Sequence, residues 1–399
     1  MSNKLSLKRR FADQLLKWFS TAARDLPWRK SRDLYRIWIS EIMLQQTQVA
    51  TVIDYYLRFL QAFPTVQKLA AAEEEQVLRL WEGLGYYRRA RQLHAAAKKI
   101  VAEHAGEFPQ TVEEVRALPG IGRYTAGAIL SIGLDLRLPI LEANTVRLLS
   151  RLAGYRGDPL SAAGQKYLWE MAEQILPPAN TGLFNQALME LGSLLCTPRS
   201  PKCAECPVAK LCVARKEGLQ EQIPLPKKKV AFESVTEAAL AIRAGDHVHL
   251  RRRQPGERWA GLWEFVRIEV TAEHADQITA EITQKGADIT GLRFGELTHL
   301  KTIKHGVTRF RITLHCYVTE VDAASLRKSQ SKPADSETVW VAIDELETYP
   351  LSITGRQIAR LLATPKTASK TTKTSRRRPA DQKPAQNVRP RGSSRTRAK

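Results

Sequence analysis

The sequence predicts a multidomain protein: an all-α N-terminal half, an α+β domain after it, and a disordered basic tail. Three observations carry that prediction. Through about residue 215, apolar residues recur at helical spacing in segments parted by groups such as Phe63-Pro64-Thr65, Phe108-Pro109-Gln110 and Pro177-Pro178-Ala179-Asn180. Around Lys216–Lys229 the periodicity fails at Gly218, Pro224, Pro226 and three consecutive lysines, which read as a linker. From about Val230 the texture turns to β-like runs, and beyond Thr364 the Lys, Arg, Ser, Thr and Pro content leaves too little apolar surface to fold.

In order, helices are expected near 7–19, 33–62, 73–80, 87–104, 111–117, 125–133, 144–153, 161–175 and 183–195. Phe11, Leu15, Leu16, Trp18 and Phe19 give the first its apolar face. Strands are expected at Ala238–Arg243, His247–Arg251, Leu262–Val270 and Thr308–Thr319, where Arg311 to Val318 alternates polar and apolar. Helical stretches near 274–284 and 343–362 complete the α+β domain.

A chain of 399 residues with 43% hydrophobic content has ample material for cores. Its net charge is +21, of which the stretch from Lys366 carries +11, so the body is still basic by +10. That balance favours a polyanionic partner, nucleic acid first; a solvated basic face is the other reading. No apolar run is long enough to cross a bilayer, so no membrane is expected. The N-terminus lacks the apolar core of a secretory signal; a first helix, or a mitochondrial presequence, fits its basic amphipathic pattern. A cytoplasmic protein is expected, nucleoid-associated if bacterial. Four of five cysteines lie within seventeen residues, and the odd count argues against a disulfide framework.

Four stretches can carry chemistry. Leu118-Pro119-Gly120-Ile121-Gly122 reads as a tight turn between helices, where Pro119 fixes one angle and Gly120 and Gly122 can take positive φ. A helical run from Thr125 to Ile132 follows at once, and its unpaired amides suit a phosphate. Downstream, Glu142 stands between Leu138-Pro139-Ile140-Leu141 and the helical pattern of Val146, Leu148, Leu149 and Leu152. It is either a charge beside an apolar wall or a surface residue at a helix start. Glu41 sits among Ile37, Trp38, Ile42, Met43, Val49, Val52 and Ile53. A carboxyl held by such walls keeps its proton near neutral pH and can donate it; on the solvent face of the helix it cannot. Trp81-Glu82-Gly83-Leu84-Gly85-Tyr86-Tyr87-Arg88-Arg89-Ala90-Arg91 suits either a wedge into a base stack or a buried turn. Lastly, Cys196-x6-Cys203-x2-Cys206-x5-Cys212 puts four thiolates on one loop, for zinc or an iron–sulfur cluster.

Together these residues resemble the helix-hairpin-helix DNA glycosylases. The cysteine spacing is similar to the [4Fe-4S] loop of the endonuclease III family, and Ser40-Glu41-Ile42-Met43-Leu44-Gln45-Gln46-Thr47-Gln48-Val49 resembles adenine DNA glycosylases of the MutY type. The likeness covers about residues 7–364 and is dense in the first 215. It implies a helical glycosylase domain over 1–215, with a six-helix barrel core at about 31–127 and a cluster domain from 1–30 and 128–215. It further implies a linker at 216–234, a Nudix-like lesion-recognition domain at 235–364, and the tail at 365–399. Trp259-Ala260-Gly261-Leu262-Trp263-Glu264-Phe265 carries the Nudix likeness, without a Nudix hydrolase box.

The same resemblance implies roles. Cys196, Cys203, Cys206 and Cys212 would hold a [4Fe-4S] cluster. Glu41 would protonate the adenine leaving group, Glu142 would support the sugar cation, and Tyr124 and Asn144 would orient that centre. Arg29 belongs to the pocket entry, and Gln186 would read the Watson–Crick edge of the flipped base. Leu44, Gln46 and Tyr86 would probe the duplex, with Gly120 and Gly122 gripping its backbone. Glycosylases that also cut the strand carry a Lys where this chain has Tyr124, so hydrolysis of the N-glycosidic bond alone is implied. The implied partner is double-stranded DNA with adenine opposite 8-oxoguanine or guanine, met by a monomer. A glycosylase for another mismatched base such as thymine, or a non-catalytic lesion-binding protein, are the rival readings.

Two departures from the family pattern stand out. Leu141-Glu142-Ala143-Asn144 replaces Leu-Asp-Gly-Asn, which lengthens the acid by a methylene. Val307-Thr308-Arg309, after His305, stands for Phe-Ser-His: Thr308 keeps a hydroxyl, Arg309 adds a cation, and the aromatic is gone. A plain strand is the other reading of that triplet.

Overall fold

Helices α1 (Ser2–Ala22) to α11 account for most of the first half of the computed structural model, which describes residues 2–226, 231–272, 274–322 and 337–363. The tail expected at 365–399 lies outside the described residues. Helix α2 (Leu34–Leu44) starts where the Asp33 carboxylate accepts from Arg36 N at 2.9 Å, and most of its residues are buried. The single helix expected over 33–62 is broken, because Gln46 takes a left-handed φ of 58° before α3 (Val49–Ala62) begins. Helix α4 (Val66–Ala70), capped by Thr65, forms where the sequence showed only a separator. Helices α5 (Glu74–Trp81), α6 (Arg88–Glu103), α7 (Val112–Arg116) and α8 (Arg123–Leu134) then close a first core around Trp38, Phe59 and Trp81.

Helices α9 (Ala143–Ala153), α10 (Ala162–Gln174) and α11 (Thr181–Leu194) wrap the apolar face of α1 in a second core. The two cores meet along α8 and α11. Gly182 makes that approach feasible, since a Cβ there would collide with the backbone of Ser131 and Ile132. Asn185 Nδ2 pins the seam, donating to Ser131 Oγ and Leu138 O, each at 2.9 Å.

After α12 (Val213–Lys216), β1 (Glu233–Ala244) enters a mixed sheet. Its other strands are β2 (His247–Arg252), β3 (Trp263–Glu264), β4 (Val266–Glu269), β5 (Thr298–Val307), β6 (Phe310–Glu320) and β7 (Thr338–Ala342). The order is β3-β2-β1-β6-β5, with β1 parallel to β6, β4 paired to β1 and β7 to β2. Alternation along β1 sends Ala238, Leu240 and Ile242 toward Ile282 of α13 (Ala275–Thr290). Ala239 and Ala241 face the opposite core, with Ile358 of α14 (Ile353–Ala363). Met1–Ala363 forms one compact unit. No helix among the described residues is long and apolar enough to cross a membrane.

Three expectations need correction here. The Leu262–Val270 strand is interrupted at Phe265, and the helical stretch expected near 343–362 divides into a 3-10 helix at Ile343–Glu347 and, after Pro350, the α-helix Ile353–Ala363. The Thr308–Thr319 strand starts instead at Phe310, because Thr308 (φ 51°) and Arg309 form the two-residue turn between β5 and β6. Neither residue is a usual turn former, so alternation ran through the turn unmarked.

Candidate active site

A cavity of about 160 Å³ opens at the seam between the two helical cores. Glu41, Leu44, Tyr124, Glu142, Asn144, Gln186 and Arg29 all line it, although they come from α2, α8, α9, α11 and the turn Pro27–Arg29. Glu41 is only 5% exposed, so it lies on the buried side of its helix. Tyr124 donates its hydroxyl to Glu41 Oε2 at 2.7 Å. Burial pushes the Glu41 carboxyl up to about 7; the Tyr124 hydrogen bond opposes this, and the nearby Glu142 charge adds to it.

Arg89, buried within α6, holds this helix end in place. Its guanidinium donates to the carbonyls of Ile42 (2.7 Å), Met43 (3.1 Å) and Gln45 (2.5 Å), which α2 leaves unpaired at its C-terminus. It also reaches Leu84 O and Gly85 O, tying the Glu41 helix to the loop before Tyr86.

Glu142 caps α9. Its Oε2 accepts from Asn144 N at 2.8 Å and its Oε1 from Thr145 N at 2.9 Å, while Glu142 N donates back to Thr145 Oγ1. A carboxylate suits the positive end of the helix dipole. Both oxygens are thus fixed despite the extra methylene. Burial raises the Glu142 pKa against these bonds. Asn144 Oδ1 accepts from Arg147 at 2.7 Å, and Arg147 Nε donates to Cys196 O.

Glu190, Arg24 and Met189 also line the cavity, and sequence reasoning missed all three. Glu190 is 1% exposed and takes Arg24 at 2.7 Å and Arg29 at 2.9 Å. Burial alone would raise its pKa, but the hydrogen bonds from both arginines take it down to about 2. An acid within the apolar Ala187–Leu191 run was the one available signal. Arg29 is therefore committed to Glu190 in the cavity wall.

The remaining candidates lie elsewhere. Gln46 and Tyr86 are in left-handed backbone outside this cavity, and Tyr86 is half exposed. In the hairpin, Gly120 takes φ 79° as expected, but Gly122 is extended at φ −95° and caps α8. No positive φ requires the second glycine. A Cβ on it would meet nothing within 4 Å, so no contact within the fold requires a glycine there either.

Cys196, Cys203, Cys206 and Cys212 line a common small cavity with Leu148, Leu152, Leu195 and Val208. The chemistry of the surroundings fits an anionic cluster. Arg151 is 2% exposed and gives its guanidinium to Thr197 O, Pro198 O, Ile223 O and Cys196 Sγ rather than to a carboxylate. Four thiolates supply the charge that such a buried cation needs.

A larger cavity, about 600 Å³, lies where β5, β6 and α14 face α6. Tyr86, Arg88, Arg258, Trp259, Thr308 and Phe310 line it. Arg309 does not: it turns to Glu233 at 3.6 Å, so the cation expected from the triplet is absent here and Arg258 stands in the wall instead.

Comparison with known proteins agrees with this layout. Residues 39–174 match the model of the HhH-GPD superfamily base excision DNA repair protein, 196–212 the iron-sulfur binding domain of endonuclease III, and 238–361 the NUDIX domain. An adenine DNA glycosylase of Mus musculus is 34% identical, over 88% of this chain and 77% of its own. One from Buchnera aphidicola subsp. Schizaphis graminum is 41% identical, over 65% and 75% respectively. The Homo sapiens adenine DNA glycosylase is 42% identical, over 64% of this chain and 48% of its own.

Proposed function

Because the chain belongs to the adenine DNA glycosylase family, we propose that it removes adenine from double-stranded DNA opposite 8-oxoguanine or guanine, by hydrolysis alone. It is a base excision repair hydrolase of N-glycosyl bonds that carries a [4Fe-4S] cluster on Cys196, Cys203, Cys206 and Cys212. The observation that carries the mechanism is the convergence of two acids, 101 positions apart in the chain, on one cavity.

In this mechanism the α8 amides and Gly122 hold a phosphate, and adenine turns out of the stack at a cost of a few kcal/mol. Glu41, whose proton is retained up to about pH 7 by burial, donates that proton to the base. Tyr124 occupies Oε2, so Oε1 is the oxygen free to carry that proton. As the N-glycosidic bond breaks, the fixed Glu142 carboxylate offsets the charge of the sugar cation, and water completes the abasic site. Tyr124 cannot form a Schiff base, which supports hydrolysis without strand cleavage. Cys196, Cys203, Cys206 and Cys212 would hold the cluster, which would fix their loop, and Arg147 ties that loop to the site by donating to Cys196 O and to Asn144 Oδ1.

Single-turnover product analysis on A:8-oxoG, A:G and T:G duplexes tests the proposal. Adenine release from the first two is expected; release of thymine alone, or tight binding with no released base, overturns it. The acid also sets a pH profile. Glu41 must be protonated to act, so excision should hold below neutrality and fall as pH rises through about 7. A flat single-turnover profile across neutrality would rule out this acid.

The α+β half would read the opposing base at the larger cavity. Thr308 presents the hydroxyl there, its Oγ1 now donating to Val307 O at 2.8 Å. Thr308→Ala is expected to slow excision opposite 8-oxoguanine about tenfold, the worth of one hydrogen bond, and to leave that opposite guanine unchanged. Equal rates for variant and wild type on A:8-oxoG would remove Thr308 from recognition.

A further inference from the structure

The α+β half grips the helical half mainly along one helix, α5, while Arg91 of α6 donates to Ala260 O alongside. At its start, Trp263 Nε1 donates to Glu75 Oε1 at 2.8 Å, and Arg252 lies 4.0 Å from Glu74 and from Glu75. At its end, Arg79 Nε donates to Glu347 O at 2.6 Å. Beside it, Arg356 of α14 forks onto Glu82, Nε to Oε1 at 2.8 Å and Nη2 to Oε2 at 2.9 Å. Arg356 also donates to Leu346 O and Tyr349 O, each at 2.7 Å. Both side chains are less than a tenth exposed. A desolvated ion pair adds little net stability over apolar packing, but its forked geometry fixes where each partner sits.

Glu82 is the first residue of the loop that ends in Tyr86. Its carbonyl accepts from Tyr55 at 2.6 Å. Gly83 follows at φ 100°, with no room for a Cβ against the Tyr55 hydroxyl, and its amide donates to Tyr87 at 3.3 Å. Trp81 Nε1 closes the loop onto Gly85 O at 3.2 Å. Out of this tied segment Tyr86 emerges half exposed, at φ 49°, a backbone that only its surroundings can hold.

We propose that Arg356 is a positioning residue for Tyr86: through the Glu82 carboxylate, the docked α+β half sets the base of the loop that presents Tyr86 to the duplex. This rests on the reading of Tyr86 as a duplex-probing residue.

The test is a double-mutant cycle on the full, cluster-loaded chain. Single-turnover adenine release from an A:8-oxoG duplex is measured at saturating enzyme. A fluorescent purine analogue beside the mismatch reports the opening of the stack. Arg356→Met and Glu82→Gln should each slow release about tenfold and reduce the fluorescence change, with Arg356→Lys recovering part of both. In the Tyr86→Ala background, Arg356→Met should cost nothing more. Multiplying effects, or wild-type rates in both single variants, overturn the coupling. If Arg356→Met does not fold, Glu82→Gln carries the same cycle. A Tyr86→Ala variant with wild-type rate and fluorescence overturns the coupling and the reading of Tyr86 together. That result differs from a slow Tyr86→Ala beside unaffected Arg356 variants, which defeats the coupling only.

Discussion

Glu41→Gln should lose adenine release by about a thousandfold under single-turnover conditions, within the range that a positioned general acid supplies, while still binding A:8-oxoG duplex. Glutamine keeps an oxygen for the Tyr124 hydroxyl but has no proton to donate at neutral pH. The same substitution should stabilise the fold in alkali. Glu41 has its pKa raised from 4.5 to about 7 by burial, so the folded state holds a proton that the unfolded state releases. Stability is therefore complete below the unfolded value, declines as pH rises between the two, and stays reduced above about 7. The deficit is on the order of 3 kcal/mol for a carboxyl this buried, and an uncharged glutamine side chain never incurs it. Thermal melts at pH 5 and pH 8 should show the variant gaining on wild type at the higher pH. Equal melting temperatures at both would show that Glu41 holds no extra proton in the fold, and undiminished release would remove it as the proton donor.

Glu142→Gln carries the second large effect. The amide preserves one acceptor for the α9 amides but removes the negative charge facing the sugar. Release should fall by about a hundredfold or more, as when one preorganised electrostatic partner of a transition state is lost. Glu142→Ala should fall at least as far and also lose the cap, costing about 1 kcal/mol of stability. The pair of variants separates charge from capping. If Glu142→Gln excises at the wild-type rate, the carboxylate serves only to start its helix, and the cation is stabilised by something else.

Much of the layout was legible because it is local. Helical spacing, the Pro and Gly separators and the texture change near residue 230 depend on neighbours a few positions apart. So do the hairpin at Leu118–Gly122 and the cysteine spacing. Breaks without a chemical marker were not legible: Gln46 and Thr308 both adopt left-handed backbone that nothing in their residue type demands. Gly122 erred the other way, since a glycine permits positive φ without requiring it.

By itself, then, the sequence determined the succession of a helical half and an α+β half, the cysteine loop, and that positions 41 and 142 are acids set beside apolar runs. It could do so because spacing and residue type suffice for each. Only the tertiary structure decided which side of its helix Glu41 occupies, and hence whether its proton is held. It also decided that Arg24 and Arg29 neutralise Glu190, that Arg309 leaves the cavity, and that Arg356 reaches Glu82 across 274 positions. Burial and ion pairing depend on the water removed when distant segments meet, and no local pattern encodes that distance.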